Sequence, residues 1–406
     1  MPLVTKTFSD IITFTRTSGA TYFDSNGVLQ TAGNNVPRLD YNPITLAAQG
    51  LLIEEARTNS IRNNTMQGAV AGTPGTVPTY WAPTTSTANG ITRTIVGTGT
   101  ENGITYIDIQ YAGTATANGN INISADQNNF IAALQNQVWT FSVYFRLVGG
   151  SFANLTTNAL YINSYTSGGA FDANATSSVS NYVAPTGSAL NTQRYFFTGT
   201  LSSANTAFVN GGLYMTFNSG AVINFTLRIG LPQLELGAFA TSVIPTTTTA
   251  LTRSADVASV NTLSPWFNST TGTLYTESVL ARQNATGGLE VASIRNAGST
   301  SYIRTFYRAS GATGQSVLDT SVIQCDLTAT GVISANTTVK MALAYSANDF
   351  AASGNGGAVV TDTTGTVPSG LTDMQLGGVG ILNGYLRRIT YYPRKLSSAE
   401  LQAITA

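Results

Sequence analysis

Apolar and polar residues alternate with a period of two along most of this chain. The runs ITRTIVG, ITYIDIQYAG, NINISA, WTFSVYFRLVG, ALYINSY, RYFFTGTL, GLYMTFN and INFTLRIGLPQLELG follow one another between residues 91 and 237. In the fourth, Trp139, Phe141, Val143 and Phe145 share one face, with Thr140, Ser142, Tyr144 and Arg146 on the other. Ile223, Phe225, Leu227 and Ile229 repeat the pattern. A second series, GTLYTESVLA, LEVASIRN, SYIRTFYRA, VIQCDLTA and VKMALAYSA, begins after Trp266 and Phe267. Glycine and asparagine separate the runs at short spacing, and no ten-residue amphipathic helices alternate with them. The pattern predicts an all-β protein of two antiparallel sandwiches of jelly-roll or lectin-like type, and it argues against α/β folds.

Residues 1–60 break the alternation and are read as an irregular N-terminal clasp laid against the first sandwich. Arg16, Asp24, Arg38, Asp40, Glu54, Glu55 and Arg57 fall within residues 13–59 of a chain with only 19 Lys and Arg and 19 Asp and Glu. Arginines in such company form forked pairs with carboxylates or hold backbone carbonyls; the alternative is a set of solvated hairpin charges. Turns are expected at Ser25-Asn26-Gly27 and Asn34-Asn35, and 51–54 reads as a strand followed by a polar loop. The clasp group is Arg16, Arg38, Asp40, Glu54 and Arg57, with Glu235 as an expected partner of Arg57. The first sandwich is placed at 61–250 and the second at 262–406. Between them the threonine run 246–249 and LTRSADVASV form a stiff connector, the latter similar in character to FTRTSGA of the clasp.

Composition narrows the function classes. Charged residues make up 9% of the chain against about 25% in ordinary domains, and the net charge is zero. No basic patch can neutralise many phosphates, so a nucleic-acid partner is not expected. Histidine is absent, which removes serine–histidine chemistry and histidine metal sites. Cys325, the one cysteine, sits among alternating apolar residues and reads as a buried thiol. The opening MPLVTKTFSD lacks the apolar region of a secretory signal, and no run is long enough for a membrane span, so membrane insertion is not expected.

Three pieces of the clasp, FTRTSGATYFDSNGVLQTA, NNVPRLDYNP and GLLIEEARTN, together resemble the N-terminal region of tailed-phage head spike or head fibre proteins. The strand QLELG followed by TSVIP extends the likeness. The closing stretch, with VKMALAYS, an NGG turn and NGYLRRITYYPRKLSSAELQAI, resembles concanavalin A-like, laminin-G-like sandwiches, in which the last strand leads to a short helix. Ser397 or Ser398 is expected to cap it, with Glu400 in the first turn. The resemblance implies a virion surface protein, a head spike or fibre assembled in the host cytoplasm, that binds capsid or head proteins. It implies a homo-oligomer, a trimer, and contact with host surface polysaccharide. A tail fibre, a ligand-free decoration protein and a glycan depolymerase are the rivals.

Candidate chemistry is sparse. Tyr80 and Trp81 interrupt a Pro- and Gly-rich loop; they either stack on sugar faces or, for Trp81, plug one end of a sandwich. No cofactor is expected. Asp349, Asp362 and Asp373 leave calcium open, though no spacing identifies a site. The carboxylate pairs Glu54–Glu55, Glu101–Asp108 and Asp319–Asp326 are equally explained as turn or edge charges. The chain is therefore expected not to be an enzyme.

Overall fold

A computed structural model describes residues 7–83, 89–126, 131–175, 188–281, 288–378 and 382–406. The fold is all-β: four large antiparallel sheets form two sandwiches, with the short helices Phe8–Ile11 and Ser398–Thr405 at the ends of the described chain. In the N-terminal sandwich one sheet runs in the order Arg194–Thr200, Val138–Ser151, Val222–Leu236, Ile104–Thr114, Thr92–Glu101. The facing sheet is centred on Thr157–Tyr165, Phe208–Phe217 and Gly119–Ser124. Trp139, Phe141, Val143, Phe145 and Leu147 point into the core against Ile121, Ile123, Leu160 and Leu213, as their alternation predicts. Their neighbours Thr140, Ser142 and Tyr144 are buried as well. A sheet with a solvent face would leave them wet; here the chain after Leu236 folds back over that face, and Thr140 donates to the Gly237 carbonyl at 2.8 Å.

The C-terminal sandwich has two seven-stranded sheets, and each borrows strands from far upstream. One contains Thr13–Thr15 paired with Val257–Val260, which pairs in turn with Asp373–Leu376. The other ends in Gly384–Tyr392, Ala48–Ile53 and Leu39–Tyr41. The clasp therefore corrects the expected boundary: it does not simply lie on the first sandwich but supplies three strands to the second, and residues 262–406 are not the whole of that sandwich. The physical reason is apolar. Phe14, Leu51 and Ile53 enter the same core as Leu274, Val291 and Met341. Gly50 permits the approach: its φ is +112°, and a Cβ there would meet the Leu386 carbonyl oxygen at 2.4 Å.

Local details follow the sequence closely. The hairpin Ala20–Phe23 with Leu29–Ala32 closes through Gly27 at φ +72°, with Asp24 accepting from the Asn26 and Val28 amides. Residues 48–53 are a strand followed by a loop. Ser397 caps the last helix, with Glu400 completing a capping box. Cys325 is buried, and its thiol is pushed up to about 12 by burial and the nearby Asp362 and Asp326 charges. Among the described residues no helix is long and apolar enough to cross a membrane.

Candidate functional site

Where the clasp meets both sandwiches, five charged side chains form one buried cluster. Arg16 pairs with Asp256 at 3.0 Å, and Arg38 pairs with Glu54 at 2.8 Å and with the second oxygen of Asp256. Arg253 lies 3.4 Å from Glu54 and 4.0 Å from Asp256. The arginines also hold backbone carbonyls: Arg16 those of Ser18, Gly33 and Val36, and Arg38 that of Thr21. Glu54 accepts from the Ser242 amide at 2.8 Å and from its hydroxyl at 2.6 Å. Burial alone would push the Glu54 carboxyl up. Arg253, Arg38 and Ser242 outweigh it and hold the group at about 2. The cluster thus ties together FTRTSGA, VPRLDY, LLIEE, TSVIP and TRSADV, the stretches that stand out in the sequence.

Beside it opens a cleft of about 330 Å³, bounded by the clasp, by the return segment 239–243 and by the edge of the C-terminal sandwich. Tyr22, Phe23, Tyr41, Tyr144, Phe239 and Tyr385 supply aromatic surface, and Asn42, Gln49, Asn336 and Asn383 supply neutral polar groups. Two charged groups in it lack a salt-bridge partner among the described residues. Asp40 accepts from the Phe23 amide at 2.6 Å and from the Tyr385 hydroxyl at 2.9 Å, with no cation. Burial raises its carboxyl above the usual aspartate range, against those hydrogen bonds, and the Glu54 charge adds to the rise. Arg194 donates to the Thr241 carbonyl at 2.7 Å and to the Ser142 hydroxyl at 3.0 Å; its buried Nε–H has no hydrogen-bond partner among the described residues.

The expected site residues therefore separate. Arg16, Arg38 and Glu54 come together in the cluster, and Asp40 lies in the cleft. Arg57 stands apart. It pairs with Glu55 at 2.5 Å, donates to the Leu236 carbonyl and lies over the Phe239 ring, 4.5 Å from its centroid. The expected Arg57–Glu235 pair does not form. Glu235 accepts instead from the Thr241 amide at 3.1 Å and hydroxyl at 2.5 Å, and its burial raises the carboxyl. Gly237 explains the end of QLELG: at φ +137°, a Cβ would fall on the Arg57 guanidinium. Trp81 is a core residue donating to the Asn63 carbonyl at 2.7 Å, which is the plug reading. Tyr80 is half-buried, with the Arg62 guanidinium 3.8 Å from its ring centroid. Neither lines the cleft. Sequence reasoning missed Asp256, Arg253, Ser242, Arg194 and Tyr385 as site residues; for the first two, the likeness of LTRSADVASV to the clasp was the available signal.

No family model matches the chain, and no curated protein matches it. Solved structures do. The CBM40 of Ruminococcus gnavus IT-sialidase is 18% identical, with a TM-score of 0.29, over 34% of this chain and 84% of that one. A heptameric SAP-like pentraxin from Limulus polyphemus is 12% identical, with a TM-score of 0.27, over 34% and 70%. Trypanosoma rangeli sialidase in complex with the inhibitor DANA is 10% identical, with a TM-score of 0.30, over 79% and 69%. Similarity at this level assigns this chain neither a ligand nor an activity.

The expectation that the protein is not an enzyme does not stand, because the absence of histidine bears on histidine-dependent chemistry alone. The argument from composition removed histidine-dependent chemistry, whereas hydrolysis of glycans works through carboxyl groups and needs no histidine. The carboxylate pairs weighed in sequence are held by arginines in part: Glu101 by Arg146 and Arg228, and Asp108 by Arg228. For calcium, Asp349 pairs with Lys395 and Asp373 with Arg295, and among the described residues no cluster of three or more His, Cys, Asp or Glu side chains is placed to hold a metal.

Proposed function

We propose that the protein is a glycan-binding protein of a tailed-phage particle surface, a head spike or fibre assembled in the host cytoplasm, and that the saccharide sits in the cleft between the sandwiches. The cleft carries the proposal: six aromatic residues lie among amide and charged groups in a concavity of about 330 Å³, room for one or two sugar rings. Aromatic faces take the apolar side of a sugar ring, and carboxyl and amide groups take its hydroxyls. The virion assignment is supported by the head-spike-like motifs, all of which meet at this one place in the fold. Sparse surface charge suits a closed homo-oligomer, for which we propose a trimer, since it leaves little repulsion between copies. Several weak sites on one spike then gain avidity.

The test is an array of bacterial surface polysaccharides probed with the full chain and with Phe239→Ala and Tyr41→Ala. Binding that weakens in both variants, at unchanged melting temperature, supports the reading. Binding that survives both places the saccharide elsewhere, and silence of the unsubstituted chain on polysaccharides from susceptible hosts rejects it. Antibody labelling of purified particles tests the virion location.

A further inference from the structure

We infer that the cleft selects an anionic saccharide, one bearing a carboxylate or another acidic group, and that Arg194 is the residue that receives the charge. This rests on the glycan-binding reading above and goes beyond it in naming the ligand class. Arg194 is the one Lys or Arg side chain among the residues lining the cleft. No carboxylate lies within salt-bridge distance of it among the described residues, in a protein where the other clasp-side arginines are paired. Its orientation is nevertheless fixed. Two of its five N–H groups are spent on the Thr241 carbonyl and the Ser142 hydroxyl, and the guanidinium lies 5.6 Å from the centroid of the Tyr144 ring. A guanidinium anchored by two neutral acceptors keeps its charge, and its remaining terminal N–H groups are the donors open to a ligand, the Nε–H being buried. The acidic groups of the same cleft do not neutralise it. Glu54 is engaged by Arg38, Arg253 and Ser242, and Asp40 is held by Phe23 and Tyr385. Glu235, the other acid on this side, is hydrogen-bonded by Thr241 and feels the charge of Arg194 without lying in salt-bridge contact with it.

Asp40 is the acid of the same lining that has no cation partner among the described residues. With one acceptor oxygen taken by a backbone amide and the other by Tyr385, it presents its remaining lone pairs to sugar hydroxyls. The acidic group of the ligand is repelled by Asp40 and received by Arg194, with Tyr144 and Phe239 in the same lining as apolar surface.

The experiment is isothermal titration of the full chain at 50 mM and 500 mM salt with four probes: the methyl glycoside of N-acetylneuraminic acid, a glucuronic acid disaccharide, glucose 6-phosphate and neutral lactose. The expected result is that an acidic probe binds about tenfold or more tightly than lactose at low salt, with the margin shrinking at high salt. The carboxylated and phosphorylated probes separate the two sources of charge. Arg194→Met abolishes the margin by weakening the acidic probes far more than lactose, Arg194→Lys restores part of it, and Asp40→Asn widens it. Equal binding of acidic and neutral probes, or a margin unchanged in Arg194→Met, overturns the inference and leaves glycan binding in place. Silence of all probes together with a silent polysaccharide array overturns both.

Discussion

Two sets of charges lie side by side at the junction of the sandwiches, and they are handled in opposite ways. In the cluster, Arg16, Arg38 and Arg253 enclose Glu54 and Asp256, and every charge has an opposite partner. In the cleft, Asp40 and Arg194 are held by neutral groups alone. Buried pairs are costly to desolvate and costly to break, so they fix a geometry without being available for anything else. Charges anchored by neutral partners keep their capacity for a ligand. The comparison separates scaffold from site even though both are built from the same clasp.

The largest way to break the comparison is to remove the clasp altogether. A fragment of residues 262–406 lacks Thr13–Thr15, Leu39–Tyr41, Ala48–Ile53 and Val257–Val260, and with them Ile53 and Ala258, both fully buried. It should show no cooperative β-type melt by circular dichroism, whereas the full chain should. A cooperative transition in the fragment would mean that the second core closes without its borrowed strands.

Next in size is Asp256→Ala. It strands Arg16 and Arg38 without their shared carboxylate, inside the protein, and should cost about 3–5 kcal/mol in chemical unfolding. A loss under about 1 kcal/mol would place the cluster in contact with water and erase the distinction from the cleft.

Acid separates the two sets by sign. Glu54 is held at about 2, below its ordinary 4.5, so its contribution is present above pH 4.5 and is lost as pH falls toward 2. Linkage puts that loss at about 3 kcal/mol. Asp40 and Glu235 are raised, so their contribution is present below the ordinary carboxylate range and is lost as pH rises through their folded values. Acid should therefore cost stability below about pH 4.5 as Glu54 is protonated, with protonation of the raised Asp40 and Glu235 offsetting part of the loss. Unfolding midpoints at pH 7, 5 and 3 check this, and Asp40→Asn should remove part of the offset and steepen the loss. An acid loss of the same size in Asp40→Asn would contradict the raised group.

The β-sandwich class was legible because period-two alternation reports a pleated surface against a core, and Trp139, Phe141 and Val143 obey it. The clasp was legible as a concentration of charge. What alternation could not convey is a second covering layer: Ser142 and Tyr144 sit at outward positions of their strand, yet the return segment buries them and makes them part of the site. Nor does proximity in sequence predict pairing. Glu54 and Asp256 are brought together across half of the chain by Arg38, and Arg57 takes its neighbour Glu55 rather than Glu235. Aromatic residues in a loop drew attention to Trp81, but a large ring with a satisfied indole N–H beside a forming core is pulled inward.

The smallest expected effect sharpens the comparison most. Arg194→Met removes a charge that lies at the same junction as the cluster, of the same residue type, with two hydrogen bonds to give up. Methionine can occupy much of the path of the arginine stem beside Tyr144. No carboxylate of the protein is left behind without a salt-bridge partner, because none pairs with Arg194 among the described residues. The Thr241 carbonyl and Ser142 hydroxyl, on buried residues, each lose a donor. The stability change should therefore stay at about 1–2 kcal/mol in chemical unfolding, below that of Asp256→Ala. A loss as large as the cluster variant's would make Arg194 a scaffold residue, paired in effect with Glu235 across the return segment. The cleft would then have no charge reserved for a ligand.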